Sequence, residues 1–245
     1  MSKKHPRRGK SRSSRKFDAA QTGHQDGDAD DSAAKAPRGG KSAAKTHATT
    51  LRIIGGSMRG RTVRYHGAAY TRPMKDSVRE NLFNILGPAV RGAVGFDLFA
   101  GTGAIAFEAI SRGANGVTVV EQSRHAMTTL KDSASQLGIE DRLNLIIGDT
   151  FRIALKLLGP PDADTPWIVF LCPPYRMWED ETTLGKLNQM IRAFLEHAPL
   201  GSVLVAETDK FFDTARLPAA AWDFREYGNV RLCFVEPAVI CGMNL

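Results

Sequence analysis

Four short segments carry side chains whose types and spacing could do chemistry, and each closes an apolar run. The first is Asp97-Leu-Phe99-Ala-Gly101-Thr-Gly103, a carboxylate followed at once by a Gly-x-Gly turn. Glycines there let the backbone turn tightly into a helix and approach a ligand closely. Position 106 is Ala, so the third glycine of the dinucleotide fingerprint is missing. An acid at the mouth of this turn would repel a pyrophosphate, which argues against a nicotinamide cofactor. It suits a cationic amino-acid ligand bearing an ammonium and a sulfonium group. A structural turn with an incidental Asp is the plainer alternative.

The second run, Val-Thr-Val-Val, ends in Glu121, 18 residues beyond Gly103. At that spacing an acid reaches ribose hydroxyls from the neighbouring strand tip. The third ends in Gly148-Asp149-Thr150, where Asp149 either accepts from an adenine amino group or caps a helix near Phe151. Acids at three successive strand ends form a rim where open α/β sheets bind ligands. The fourth segment, WIVFLCPPYRMW over 167–178, stops in Cys172-Pro173-Pro174-Tyr175. Two prolines cannot continue a central strand, because neither offers an N–H to the ladder. The stiff lip presents Tyr175 as a flat platform, and stacking a base on such a ring is worth about 1–3 kcal/mol. A packing Tyr at a strand edge is the alternative.

Elements that alternate in type must position these residues. Strands are expected at Val94–Phe99, Gly116–Val120, Leu143–Ile147, Ile168–Leu171 and Ser202–Ala206. Helices are expected between them at Ala104–Ser111, Arg124–Leu137, Phe151–Leu158 and Glu181–His197. Such alternation predicts an α/β, Rossmann-like fold: a mostly parallel, seven-stranded sheet with helices on both faces. The last two strands, near Trp222–Tyr227 and Val230–Glu236, are separated by Gly228-Asn229, a hairpin signal that makes the final strand antiparallel. Ahead of the sheet, Leu51–Ile54 and Arg61–Tyr65 read as a hairpin around Gly55-Gly56. A helix over 75–86 follows, with Val78, Leu82, Ile85 and Leu86 on one face.

The charge is segregated. The 245 residues carry a net +7, and residues 1–50 account for all of it, with 12 Lys/Arg against 5 Asp/Glu. Residues 1–47 contain one aromatic, Phe17, and cannot bury enough apolar surface to offset ordering entropy, so a disordered basic tail is expected. It is either a solubility tail or an arm for polyanions. Residues 51–80 add 7 basic groups against Asp76 and Glu80. Three cysteines (Cys172, Cys233, Cys241) make neither a disulfide framework nor a zinc site. No apolar run reaches the roughly 18–20 residues of a membrane span, and the basic N-terminus has no apolar core of a signal peptide. The reading is a reduced, cytoplasmic chain with no metal and no membrane contact, a monomer by default. Its parts are a tail (1–47), a hairpin–helix extension (48–90) and a catalytic domain (91–245).

The four strand-end motifs together resemble class I S-adenosylmethionine-dependent methyltransferases, and Pro-Pro-Tyr resembles the signature of enzymes that methylate exocyclic amines of bases. The segments RIIGGSMRGRTV (52–63), TRPMKDSVRENLFNIL (71–86) and DLFAGTGAIAFEAISRGA (97–114), with the Pro-Pro-Tyr turn, are similar in order to the RsmD family. Those are bacterial 16S ribosomal RNA guanine-N2 methyltransferases. The resemblance implies that Asp97, Phe99, Gly101, Gly103, Glu121, Asp149 and Thr150 hold S-adenosylmethionine. It implies that Cys172, Pro173, Pro174 and Tyr175 form the catalytic lip, with the Pro173 carbonyl as an acceptor. Arg59, Arg61, Arg72, Lys75 and Arg79 would meet phosphates of ribosomal RNA, free or in a small-subunit assembly intermediate; a solvated basic face is the alternative. Met74 stands where the family more often has Thr. Cys172 stands where the family has Asp or Asn, and a thiol is a weak hydrogen-bonding group. Two alternatives follow: an RNA-binding pseudoenzyme, or a base-amino methyltransferase with another nucleic-acid substrate.

Overall fold

The computed structural model describes residues 49–65, 73–161 and 164–237. The basic tail, Arg72 and Cys241 lie outside the described residues. The chain opens with an antiparallel hairpin, β1 (Thr49–Arg52) and β2 (Thr62–Tyr65), in which Leu51 faces Val63. Helix α1 (Asp76–Leu86) follows, and then strands and helices alternate as the apolar periodicity requires. They are β3 (Val94–Asp97), α2 (Ala104–Ser111), β4 (Gly116–Glu121), α3 (Arg124–Leu137), β5 (Leu143–Ile147) and α4 (Thr150–Leu157). Next come β6 (Trp167–Leu171), α5 (Arg176–Glu179), α6 (Glu181–His197), β7 (Val203–Asp209), β8 (Asp223–Tyr227) and β9 (Val230–Val235).

Seven strands form one sheet in the order β5-β4-β3-β6-β7-β9-β8. Strands β3 to β7 pair in parallel, and β9 runs antiparallel to both β7 and β8, as the Gly228-Asn229 spacer requires. The chain steps outward from β3 to β5 on one side, then returns to place β6 on the other side of β3. That reversal opens a crevice at the carboxyl ends of β3 and β6. No described helix is long and apolar enough to cross a membrane.

Both faces of the sheet are covered, which is why β6 is buried along its whole length. On one face Val119, Ile168, Phe170 and Val205 pack with α1, α2, α3 and the hairpin residues Ile53, Met58 and Val63. On the other, Leu98, Val169, Leu171 and Leu204 pack with Trp178, Leu187, Ile191 and Phe194.

The buried stripe of α1 is Val78, Arg79, Leu82, Phe83 and Leu86. Ile85, expected inside, is 40% exposed. Arg79, expected to meet RNA, is 1% exposed, and that expectation is corrected. Its guanidinium donates to the Arg52 and Met74 carbonyls and to Asp76, and it lies 3.9 Å from Glu108 of α2. Glu108 is itself fully buried; its carboxylate accepts from the Ile54 and Gly55 amides and from Arg112 Nε, each at 2.8 Å. Ser111 completes the junction, donating to the Gly55 carbonyl and accepting from the Met58 amide. Gly56 has φ +75 and passes so close to the Ser111 carbonyl that a Cβ would lie 2.0 Å from it. The hairpin is bolted to the helix that follows the Gly-x-Gly turn.

Candidate active site

The glycine turn is built from its own backbone. Gly103 has φ +73 and starts α2; a Cβ there would lie 2.8 Å from the Leu130 side chain. The Gly101 amide donates to Glu121 Oε2 at 2.8 Å, and the Ser123 amide donates to Oε1 at 2.7 Å. Glu121, half-exposed at the tip of β4, ties the turn to its neighbouring strand while each oxygen keeps a lone pair. Asp97 sits between these elements at the end of β3, opposite Val119 and Phe170.

Asp97 is 1% exposed, and neither carboxylate oxygen has a hydrogen-bond partner. Burial pushes its carboxyl up to about 7 against the pull of the Ala106 amide, which falls short of a hydrogen bond, and the nearby Glu121 charge adds to the rise. Buried polar groups are almost always satisfied, so an orphaned acid beside a tight glycine turn marks a place for a donor or cation.

Around this centre the rim residues divide by what their side chains touch. Phe99 packs edge-on against Phe151 at 5.9 Å between ring centroids. Asp149 is exposed and caps α4, accepting from the Phe151 amide at 3.0 Å, with Arg152 3.8 Å away. Thr150 is buried and donates its hydroxyl to the Leu98 carbonyl, an internal tie between α4 and β3.

Beyond β6, Cys172 is half-buried, Pro173 buried and Pro174 exposed. Burial pushes the Cys172 thiol well above its ordinary value, and the Glu207 and Asp97 carboxylates push the same way. The site holds a neutral thiol. The Pro174 and Tyr175 carbonyls accept from the Met177 and Trp178 amides, which winds the lip into α5, a turn the sequence reading passed over.

Tyr175 is held by a residue that the sequence reading also missed. Its hydroxyl donates to Glu207 Oε1 at 2.8 Å, and Trp178 Nε1 donates to the Glu207 carbonyl at 2.8 Å. Trp178 in turn packs on Phe212 at 5.3 Å. Burial and the adjoining Glu207 charge raise the Tyr175 phenol, which stays protonated. Burial also raises the Glu207 carboxyl, and the Tyr175 hydrogen bond partly offsets this. The signal for Glu207 was an acid near the end of the apolar run Val-Leu-Val-Ala, the same rule that found Asp97, Glu121 and Asp149.

The basic residues scatter in role. Arg59 and Lys75 are exposed. Arg61, though exposed, donates to the Gln136 and Leu137 carbonyls at the end of α3, a helix C-terminus that favours a cation. A cavity of about 590 Å³, lined by Ile85, Leu86, Val203, Ala219 and Phe234 among others, contains none of the rim residues. That cavity lies apart from the chemistry, which lies on the rim.

A sheet wound in this order around a glycine turn, with an acid set for a cation where a nucleotide enzyme would take phosphate, defines the class I S-adenosylmethionine-dependent methyltransferases. The family model described as "Conserved hypothetical protein 95" matches residues 51–236, and the chain belongs to that family. Over 138 residues it is 36% identical to "Ribosomal RNA small subunit methyltransferase D" of Escherichia coli K12, a match covering 56% of this chain and 67% of that protein. The protein of the same name in Haemophilus influenzae is 34% identical over 126 residues, or 51% and 64% of the two chains. Among solved structures, hypothetical protein TTHA0928 of Thermus thermophilus superposes with a TM-score of 0.59 at 26% identity, covering 76% of this chain and 99% of that one. The 16S rRNA N2 G1207 methyltransferase of Thermus thermophilus, solved with AdoMet and guanosine, shares the fold, with a TM-score of 0.58 at 20% identity over 78% and 50% of the chains. S-adenosylmethionine is the cofactor of this class, and the orphaned Asp97 carboxylate beside the glycine turn fits its cationic end.

Proposed function

We propose that this protein methylates the exocyclic N2 amine of a guanine in 16S ribosomal RNA, free or within a small-subunit assembly intermediate in the cytoplasm. The observation that carries the reading is one edge of the sheet. It sets an unpartnered, buried Asp97 next to the strand tip from which Tyr175 is held by Glu207. The names of the relatives supply the RNA.

When bound, S-adenosylmethionine supplies an electrophilic methyl group on a sulfonium. Asp97 holds the ammonium end, Glu121 offers its remaining lone pairs to ribose hydroxyls, and Asp149 faces the adenine. Phe99, Gly101 and Gly103 shape the wall between them. A target base cannot be reached inside a duplex and must leave its stack. Tyr175 receives its flat face, and the Pro173 carbonyl accepts from its amine. Positioning the amine is the larger part of the rate enhancement in such a site. Arg59 and Lys75, on the hairpin–helix extension, meet RNA phosphates without reading sequence.

The test is single-turnover transfer from labelled cofactor to 16S RNA and to 30S particles, with the modified nucleotide mapped by mass spectrometry. One N2-methylguanine is expected. Methylation of adenine or of DNA would overturn the substrate, and cofactor binding without transfer to any acceptor would establish an RNA-binding pseudoenzyme.

A further inference from the structure

The lip departs from what its chemistry wants at one residue. An amine that must present a lone pair to a methyl group is best held by a carboxylate or amide oxygen, and Cys172 supplies only a neutral thiol. Strands β6 and β7 pair in parallel as far as Leu171 opposite Ala206. The next rung of that register puts Cys172 beside Glu207. On its other side Glu207 faces Leu232 of β9.

Glu207 has no ion-pair partner among the described residues. Its Oε1 is taken by Tyr175, the residue proposed to stack the target base. Its Oε2 accepts no hydrogen bond from the described residues, so this carboxylate, on a partly buried residue, keeps one oxygen for a further donor. An acid without a cation, between a thiol and a leucine, contributes little to folding and much to a polar substrate.

We propose that Glu207 supplies the carboxylate that Cys172 cannot: it orients the exocyclic amine of the target base and takes the proton the amine sheds. This rests on the function proposed above. The amine nitrogen bonds the methyl carbon as that carbon's bond to sulfur breaks, leaving a neutral thioether and a positive nitrogen. The nitrogen then gives one proton to the Glu207 carboxylate, which returns it to water. Through Oε1 the same side chain fixes the ring beneath the base. One acid sets both the plane of the base and the direction of its amine.

The experiment compares wild type with Glu207→Gln, Tyr175→Phe, Cys172→Asp and the double variant Cys172→Asp/Glu207→Gln. Measured quantities are kcat, KM for RNA, S-adenosylmethionine affinity, and guanosine affinity by calorimetry with S-adenosylhomocysteine present. Losing a charge-assisted contact in the site lowers kcat about 10–150-fold in Glu207→Gln. Cofactor affinity stays within about twofold, and guanosine affinity falls by at least about fivefold, less than kcat because proton transfer is spared. Tyr175→Phe, which keeps ring and carboxylate, loses far less. Cys172→Asp restores at least about tenfold of kcat in the Glu207→Gln background, because it returns a carboxylate to the adjoining strand tip.

Equal losses in Glu207→Gln and Tyr175→Phe, or no rescue in the double variant, would reduce Glu207 to a pin for Tyr175 and overturn the proposal. Should Glu207→Gln fail to fold, Cys172→Asp alone decides. A gain below about fivefold, or a loss, supports an acceptor already in place, and a gain of about fivefold or more refutes it. If wild type modifies a base other than guanine, the substrate reading falls and the same comparison is run on that base. If it transfers no methyl group, the proton-accepting role falls with that reading, the amine-orienting role stands only when guanosine binding still weakens in Glu207→Gln, and everything falls when it does not.

Discussion

Replacing Asp97 by Asn separates what the residue costs the fold from what it gives the site. The Asp97 carboxyl stays protonated in the native protein up to about pH 7, while in the unfolded chain it ionises above its ordinary 3.8. Between those values the native state holds a proton that the unfolded state has lost. Stability is therefore fully present below the unfolded value and is lost as pH rises through the native one. At 1.36 kcal/mol per pH unit the whole window is worth on the order of 4 kcal/mol, and the part between pH 5 and 8.5 about 3 kcal/mol. Asn does not titrate. The stability of Asp97→Asn relative to wild type should therefore climb by about 3 kcal/mol across that range, or about 6–12 °C in Tm for a chain of this size. Calorimetric melts of both apo-proteins at pH 5 and 8.5 measure it. A gap that does not change with pH would refute the claim that burial, outweighing the Ala106 amide, governs this acid. The same variant should lose S-adenosylmethionine binding. Wild-type affinity should rise roughly eightfold from pH 6 to 7.5, as the ionised fraction of a group titrating at about 7 grows.

Other perturbations read other parts of the structure. Tyr175→Ala should cut turnover about 5–150-fold through lost stacking while cofactor affinity holds; equal losses in both would contradict a base platform. Glu108→Ala strips the Ile54 and Gly55 amides of their acceptor and leaves Arg79 buried beside a vacancy, so urea denaturation should show about 3–5 kcal/mol lost. Arg59→Ala should weaken RNA binding and lower the slope of log K against log salt by about one, with Tm unmoved. Arg79→Ala should lower Tm instead and leave that slope alone; the reverse pattern would return Arg79 to the RNA face.

Legibility followed the range of the physics. The strand tips could be read because each mostly apolar run ends in an acid, in the buried β3 and β4 and in the partly exposed edge strand β5 alike, so Asp97, Glu121 and Asp149 are punctuation at their ends. The final hairpin was visible because Gly228-Asn229 is a local turn signal. Arg79 was misread because Arg52 and Glu108 are brought to it only by packing, and a lone arginine in a basic segment reads as surface. The hold on Arg61 was equally out of reach, its carbonyl acceptors lying 75 and 76 residues away. Glu207 was missed because the apolar pattern stops at Ala206 while β7 continues to Asp209 against β9. Long-range register, not composition, makes that acid part of the site.

Glu108 has a consequence for how the protein comes apart. It is a fully buried residue of α2, yet the amides it accepts from belong to the hairpin, more than 50 residues earlier. Opening the hairpin would bare an ion inside a helix that also packs on the sheet, so neither piece can fray alone at low cost. Hydrogen exchange at Ile54 and Gly55 should therefore be as slow as in the central strands, although both sit in an irregular, partly exposed loop. A shortened version that keeps its cooperativity has to begin ahead of Thr49, since cutting at the start of the parallel sheet would remove the donors and leave the acid.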